Sequence, residues 1–490
     1  MATPLSLATL ASLPASVAKP GYARDSLSAG ILHFGVGNFH RAHQAMYLDR
    51  LFSRGQSLDW ALVGAGVFEG EAKGRDLLQA QDWLTTLVEQ EADHSEARVL
   101  GSMIDYLPPA DAPAIIARMS QPDIRIVSLT ITEGGYFLDA KDRFDPTHPA
   151  IRADAATPEA PKTAFGMMLR ALKARRDAGL APFTIMCCDN IPHNGAVTRN
   201  ALCGLARLTD PDFAEWIAGN VAFPNAMVDR ITPATTDRER AILAQDFGVA
   251  DGWPVFCEGY TQWVLEDHFP LGRPALDAVG AQFVADVAPF ELMKLRILNG
   301  GHAVIAYPAG LMDIHFVHEA MAHPLVRGFL RKIEETEILP QVPPVPDTDL
   351  PGYLDLIERR FSNPKIGDTI RRLCLDGSNR QPKFIIPTLR DALAGGGGYN
   401  GLALESALWA RYCAGVTDSG QIIAPNDPNW DRLVPVADQA RRRPQAWLEQ
   451  EAIYGDLAEH PGFAARFAHW LNALWRDGTA ATLTRYLETP

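Results

Sequence analysis

The first half of the chain alternates short β-branched apolar runs with stretches of helical periodicity, and this alternation most restricts what the chain can fold into. Gly30-Ile-Leu-His-Phe-Gly35 reads as a buried strand. Residues 39–54 carry helical spacing through Ala42, Ala45, Met46, Leu48 and Leu51-Phe52, and Trp60-Ala-Leu-Val-Gly64 reads as a second strand. Residues 97–101 are a weaker strand candidate, 124–132 a long β-branched run, 165–178 a helix and 183–188 another short apolar run. Strands separated by helices predict a mainly parallel, doubly wound sheet with helices on both faces. Ligands on such sheets sit beyond the carboxyl ends of the strands. From about residue 286 long helical patterns take over. Pro324 opens one, with Leu325, Val326, Phe329, Leu330 and Ile333 on one side, and 402–413 and 463–476 are others. Residues 340–351 and 395–398 read as loops. The predicted organisation is an α/β domain over 1–285 and a mostly helical domain over 286–490.

A length of 490 residues implies two or three domains, and a net charge of −14 argues against nucleic acid or an anionic membrane as partner. The six cysteines are scattered with no CxxC pair, which predicts a reducing compartment. His40 and His43 are three apart without an HExxH context, and Arg41 between them counts against a metal, so none is expected. The start of the chain has no basic residue before its apolar part and is broken by Pro4 and Pro14, unlike a signal peptide. No apolar run approaches the length of a membrane span, and a cytoplasmic protein is expected.

Gly35-Val-Gly37-Asn38-Phe39-His40 follows a strand and opens a helix, where glycines let backbone N–H groups approach a pyrophosphate. The motif lacks a third glycine, and an ordinary tight turn is the alternative. An acid binding the adenine ribose should follow the second strand. Glu69 and Glu71 come next, farther from the glycines than is usual, and Glu69 is the one chosen. A carboxylate there would repel the 2′-phosphate of NADP and favour NAD. Thr132-Glu133-Gly134-Gly135-Tyr136 and Asp189-Asn190 end two apolar runs, where such a sheet places its site. Asn190 could donate to a substrate oxygen or cap a turn, and Glu133 could equally be a turn residue.

Lys294-Leu-Arg-Ile-Leu-Asn299-Gly-Gly-His302 places an amine, an amide and an imidazole in an apolar segment, with Glu291 one turn before the lysine. At about 100° per residue, Glu291, His302 and Asn299 fall roughly 60°, 80° and 140° from Lys294 on a helical wheel. Leu295 and Leu298 share that arc, which predicts burial. A buried lysine tends to lose its proton near neutral pH. A neutral amine beside an amide and an imidazole can take a proton from an alcohol and steady the oxyanion left behind. A buried helix with a satisfied polar cluster is the alternative.

Together these segments resemble the mannitol dehydrogenase family, the polyol-specific long-chain dehydrogenases. The resemblance rests on Gly35-Val-Gly37-Asn-Phe-His-Arg41, Thr130-Ile-Thr-Glu133-Gly-Gly-Tyr136, Cys188-Asp-Asn190, Met227-Val-Asp229-Arg230, Lys294 to His302, Arg360-Phe-Ser-Asn363 and Asp376-Gly-Ser378. It spans residues from about 20 to about 420, and the Lys-x4-Asn-x2-His run is its most specific part. The resemblance implies a Rossmann-type N-terminal domain, a helical C-terminal domain and a zinc-independent, NAD(P)-dependent oxidoreductase; NAD is the expected cofactor, and a monomer or weak homodimer is expected. By motif, Lys294 is implied as general base, Asn190 and Asn299 as the pair holding the reacting oxygen, His302 as a substrate-orienting group and Glu291 as a gate for proton exit to water. Asp229, Arg372 and Arg380 fall where the family contacts substrate hydroxyls. At Arg380 relatives often carry lysine, so hydrogen-bond geometry there differs. Oxidation of D-mannitol to D-fructose is the first expectation. D-arabinitol or D-glucitol oxidation and fructuronate or tagaturonate reduction are alternatives, and an NAD-binding sensor without turnover is a reading of another class.

Overall fold

The structure, a computed structural model, describes residues 2–139 and 143–489. The chain divides into two compact units, Met1–Ala288 and Pro289–Pro490. The first is built on five parallel strands: β1 (Ala29–Phe34), β2 (Ala61–Ala65), β3 (Met103–Tyr106), β4 (Ile126–Leu129) and β5 (Thr184–Cys187), in spatial order β3-β2-β1-β4-β5. This is the doubly wound order, with its switch point between β1 and β4. Side chains alternate across the sheet. Leu32, Phe34, Val127, Leu129 and Ile185 enter one core, and Ile31, Ile126 and Met186 enter the other.

Helices α1 (Asn38–Ala42) and α2 (Gln44–Phe52) follow β1, α3 (Ala112–Met119) precedes β4, and α4 (Ala164–Asp177) and α5 (Asn194–Arg207) flank β5. Leu48 and Phe52 of α2 pack on one face of the sheet, and Ile115, Phe165, Met168, Leu172 and Leu202 on the other. Each large side chain fully buried this way contributes about 1.5–3 kcal/mol. Thr163 caps α4 by accepting from the Gly166 N–H at 3.0 Å. Near its C-terminal end Arg175 donates to the carbonyls of Met119, Gln121, Ile124 and Ala181, bracing the entrance of β4.

Three features of the first unit differ from the sequence expectation. The single helix expected after β1 is two, because the backbone leaves helical geometry at His43 (φ −119°, ψ −90°). The strand candidate at 97–101 overlaps Ser95–Leu100, which pairs antiparallel with Thr85–Gln90 in a separate four-stranded sheet. One edge of the main sheet is β3, whose Met-Ile-Asp-Tyr sequence is too short and mixed to register as an apolar run.

Among the described residues the second unit contains no named strand. A short helix, Ala288–Met293, leads into a π-helical segment, Lys294–Asn299, and then into α6 (Gly300–Leu311). Helix α6 is buried over nearly its whole length. It packs against α7 (Pro324–Ile333), α8 (Ile370–Leu373), α9 (Gly377–Phe384) and α10 (Asn400–Tyr412). A helix apolar on all sides belongs at the centre of a bundle. Val326, Phe329, Leu330 and Ile333 of α7 are buried on one side, as its spacing predicts. A second π segment, Glu334–Ile338, continues α7, and its Glu337 carboxylate accepts from Gly401 N–H (2.6 Å) and Leu402 N–H (2.9 Å) at the start of α10. The expected loop at 340–351 is shorter than predicted, since a helix begins at Leu350 with Pro351 in its first turn.

Candidate active site

In the first unit the turn after β1 has the form a dinucleotide site needs. Gly35 has φ +92°, and a Cβ there would lie 2.0 Å from the Thr130 carbonyl oxygen on the neighbouring strand. Only glycine lets the turn pass that close to β4. Gly37 differs: a Cβ there would meet nothing nearer than 3.8 Å. Packing within the protein therefore does not require Gly37, and the space above it is open for a ligand. The N–H groups of the first α1 turn have no intrahelical acceptor. The Asn38 side chain is committed to structure: Nδ2 donates to Pro233 O (3.0 Å) and Thr235 Oγ1 (3.1 Å), and Oδ1 accepts from Arg41 at 2.8 Å. Its backbone alone is left for a cofactor. The half-buried Phe39 ring stacks on His43 at 4.9 Å.

The histidines near this turn are structural. His33 pairs with Ser128 Oγ at 2.8 Å and Thr130 Oγ1 at 2.9 Å, and burial pushes its pKa down to about 3. His40 stacks on His33 with ring centroids 3.5 Å apart, and His43 Nε2 meets Gln262 O at 3.0 Å. Their rings serve different partners. Among the described residues, no group of three or more His, Cys, Asp or Glu is placed to hold a metal ion.

After β2 the two glutamates part company. The Glu71 carboxylate turns back to accept from the Phe68 N–H at 2.8 Å, and partial burial raises its pKa. Glu69 is exposed and makes no such cap, which leaves it as the available acid.

At the end of β5, Asp189 has a role that sequence reasoning left as a cap or turn. Its buried carboxylate accepts from the N–H groups of Ile131 (2.9 Å) and Thr132 (3.0 Å) and from the Tyr136 hydroxyl (2.6 Å). It thereby fixes the segment that carries Glu133, including Thr132 at φ +63°. Burial raises the Asp189 pKa, and the same three hydrogen bonds lower it. Asn190, next in the chain, is exposed at the carboxyl end of β5, and Glu133 is exposed in a short 3₁₀ turn. Asp229 is buried at the end of the strand Ala226–Asp229. Arg230 beside it donates to Ala42 O (2.6 Å) and Glu258 O, and pairs with Glu89. The Val-Asp-Arg run thus ties the end of α1 to its neighbours.

In the second unit Glu291, Lys294, Asn299 and His302 are all buried, at 6–8% exposure. Lys294 to Asn299 is π-helical rather than α-helical. A π turn closes i→i+5 bonds, so residues five apart stand one above the other. The wheel separation of about 140° drawn for an α-helix therefore does not apply. Lys294 and Asn299 fall on one face of the segment, and His302 follows three residues on in α6.

His302 stacks on Phe361 with centroids 4.1 Å apart, and its Nε2 has no hydrogen-bond partner among the described residues. Burial, and then the charges of Arg372, Arg380 and Arg360, hold its pKa well below the usual histidine value. The ring is neutral, with an unused nitrogen ready to meet a hydroxyl. Arg372 is exposed and paired with Asp368, which raises its pKa. Arg380 Nη1 donates to the carbonyls of Leu373 (2.8 Å) and Leu375 (3.4 Å). Phe361 and Asp368 were not singled out from sequence, although Asp368, just before the N-cap of α8, and Arg372 stand four apart, an ion-pair spacing.

A family model described as the mannitol dehydrogenase Rossmann domain matches residues 29–278, and one described as the mannitol dehydrogenase C-terminal domain matches 286–475. The chain is 60% identical over 473 residues to a mannitol 2-dehydrogenase of Cereibacter sphaeroides, covering 96% of this chain and 99% of that protein. Among solved structures it is similar to the Pseudomonas fluorescens mannitol 2-dehydrogenase in ternary complex with NAD and D-mannitol, at 42% identity and TM-score 0.88 over 100% of both chains. It is also similar to a D-sorbitol dehydrogenase in substrate-free form, at 35% identity and TM-score 0.92, over 98% of this chain and 100% of that one.

Proposed function

The chain belongs to the mannitol dehydrogenase family, and on that premise we propose that it is an NAD-dependent polyol dehydrogenase that oxidises D-mannitol to D-fructose, with Lys294 as general base. The observation that carries the reading is the π turn. It brings buried Lys294 and Asn299 to one face of the segment, with the neutral imidazole of His302 three residues on.

Residues 1–285 hold the dinucleotide and contribute Asn190 and Asp229 to the substrate, and residues 286–490 carry the general base and the other substrate contacts. Gly35 and Gly37 let the pyrophosphate approach the first-turn N–H groups of Asn38 and Phe39. The exposed carboxylate of Glu69 takes the adenine ribose and disfavours a 2′-phosphate, and Glu133 lies at the carboxyl edge of the sheet beside the site. Bound NAD supplies the hydride acceptor. Lys294 takes the proton of the C2 hydroxyl, without a metal ion. Asn190 and Asn299 donate to the oxygen as it gains charge, an effect worth about 3 kcal/mol per well-placed donor. His302, through its unused nitrogen, orients a neighbouring hydroxyl, and Asp229, Arg372 and Arg380 bind others. Glu291 passes the proton from Lys294 to water. In reduction Lys294 acts as the acid.

The Arg372–Asp368 pair weighs against a uronate carboxylate at that position. D-glucitol is the second polyol to test, given the similarity to a D-sorbitol dehydrogenase. Six free, buried thiols fit a reducing compartment, and we place the enzyme in the cytoplasm as a monomer or weak homodimer.

The test is NADH formation from a polyol panel by the protein and its Lys294→Ala variant. D-mannitol should be turned over, and the variant should lose about 10²–10⁴ in kcat with NAD affinity nearly unchanged. Tight NAD binding without turnover of any polyol would favour a sensor, and an active variant would remove Lys294 as base.

A further inference from the structure

Helix α9 carries Arg380, and its hold on the rest of the unit is unusual. Pro382 lies inside it and has no N–H to give to Ser378 O, so the helix lacks one internal bond. Two side-chain fastenings stand in. At the N-terminal end, Ser378 donates from N (2.7 Å) and Oγ (2.7 Å) to the Asp427 carboxylate. Toward the other end, Gln381 Nε2 donates to Glu405 Oε1 of α10 at 2.5 Å.

The second fastening has an unfilled half. Glu405 and Gln381 are 0% and 1% exposed, and neither Glu405 Oε2 nor Gln381 Oε1 has a hydrogen-bond partner among the described residues. Written as a carboxylate, the pair leaves two buried acceptors with no donor, at a cost native structures avoid. One proton on Oε2 answers both, because a carboxylic acid can donate to the amide oxygen while accepting from the amide nitrogen. We propose that Glu405 is a positioning residue for substrate binding: as a carboxylic acid it closes a two-armed pair with the Gln381 amide and so holds α9 with Arg380 beside His302.

The surroundings agree. Burial pushes the Glu405 pKa up to about 8, with the Gln381 bond a smaller opposing effect. The titratable groups facing it are the Tyr307 hydroxyl from α6 and the Tyr454 hydroxyl from the helix Glu451–Tyr454, both kept neutral by burial. Glu337, on the continuation of α7, and Tyr486 of the final helix meet α10 one turn earlier, at Gly401 and Leu402. The final helix brings Arg466 and the Trp470 indole N–H to Asn400 at the far N-terminal end of α10, and Trp447 and Leu433 are among the apolar side chains packed near the helix. No cation is among the influences on Glu405.

As pH rises through about 8 the proton leaves, one arm opens, and a bare carboxylate remains in the core. Arg380 then loses its fixed position and the enzyme its grip on the polyol. The inference rests on the proposed reading of Arg380 as a substrate contact, and the experiment separates the two. KM and kcat for D-mannitol are measured from about pH 6 to about pH 9.5 in the full-length protein and in Glu405→Gln, which keeps both arms as an amide–amide pair but cannot titrate. The wild-type KM should rise about tenfold above pH 8, the effect of one lost buried hydrogen bond, while the variant's stays flat. Equal slopes in the two proteins would overturn the proposal.

Thermal unfolding tests the pair without reference to activity. A folded-state pKa raised above its unfolded value gives stability that is lost as pH rises through the folded pKa. The Tm of wild type relative to Glu405→Gln should therefore fall from about pH 5 to about pH 8 and then level off. A difference that does not change with pH would sink the acid–amide pair. A falling difference with no D-mannitol turnover would uphold the pair and reject the polyol reading.

Discussion

Asp189→Asn is the sharpest test of how the first unit prepares its site. The native carboxylate accepts three hydrogen bonds, from Ile131 N–H and the Tyr136 hydroxyl at Oδ2 and from Thr132 N–H at Oδ1. An asparagine of the same shape keeps its oxygen for Thr132 and sets an NH₂ group where Oδ2 was. Tyr136 can reverse and accept from that group, since a phenol both donates and accepts. Ile131 cannot, because its N–H then faces another donor. The loss is one charge-assisted bond together with a buried N–H left unsatisfied, about 2–3 kcal/mol. A destabilisation of that size lowers Tm by roughly 4–10 °C in a large domain. Asp189 orders the 131–136 segment that carries Glu133 and lies next to Asn190, so NAD affinity and kcat should fall together with Tm. The assay is differential scanning fluorimetry with and without NAD, with steady-state kinetics on D-mannitol. A Tm within about 1 °C of wild type, with unchanged kinetics, would refute the claim that these three bonds hold the segment.

Two further outcomes follow from the same geometry. Gly37→Ala should leave Tm unchanged, because its Cβ meets nothing nearer than 3.8 Å, yet weaken NAD about tenfold or more if the pyrophosphate fills that space; isothermal titration reads both the affinity and any loss of sites. On the proposed reading the neutral form of His302 meets the substrate, and burial and three guanidinium groups hold its pKa well below the usual histidine value. KM for D-mannitol should therefore show no inflection near pH 6.5, and an inflection there that disappears in His302→Asn would show the ring to be charged when free.

The parts of the fold legible in sequence are those written in local chemistry. β1, β2 and β5 are apolar runs between turn residues, and the period of each names its type. β3 escaped because Asp105 interrupts four residues at a sheet edge. The helix break at His43 escaped because nothing at His43 or Gln44 resembles a breaker, and tertiary packing around the stacked histidines decides it. At the site, Lys294, Asn299 and His302 stand out because polar side chains in an apolar segment are conspicuous. Asp189 was visible only as a strand end, since its three partners lie more than fifty residues away. Glu405 is a single carboxylate within the helical pattern at 402–413, and only burial of both members reveals the pair with Gln381.

The five-residue interval between Lys294 and Asn299 shows why local reading stops where it does. In an α-helix that interval sets two side chains well over a quarter-turn apart, and an amide so placed could not serve an oxygen held by the amine. The π segment removes the conflict by closing its bonds one residue later. Such segments have poorer backbone geometry and survive where surrounding packing enforces them, most often at functional sites. Here the enforcement has a visible source. The segment runs directly into α6, which is buried over nearly its whole length, and a second π segment packs alongside it, with Glu334 at its start lying against Gly301. The sequence supplies the three functional groups in order. The angle between them comes from the bundle, so the chemistry proposed for Lys294 depends on packing that no residue in 294–302 encodes alone.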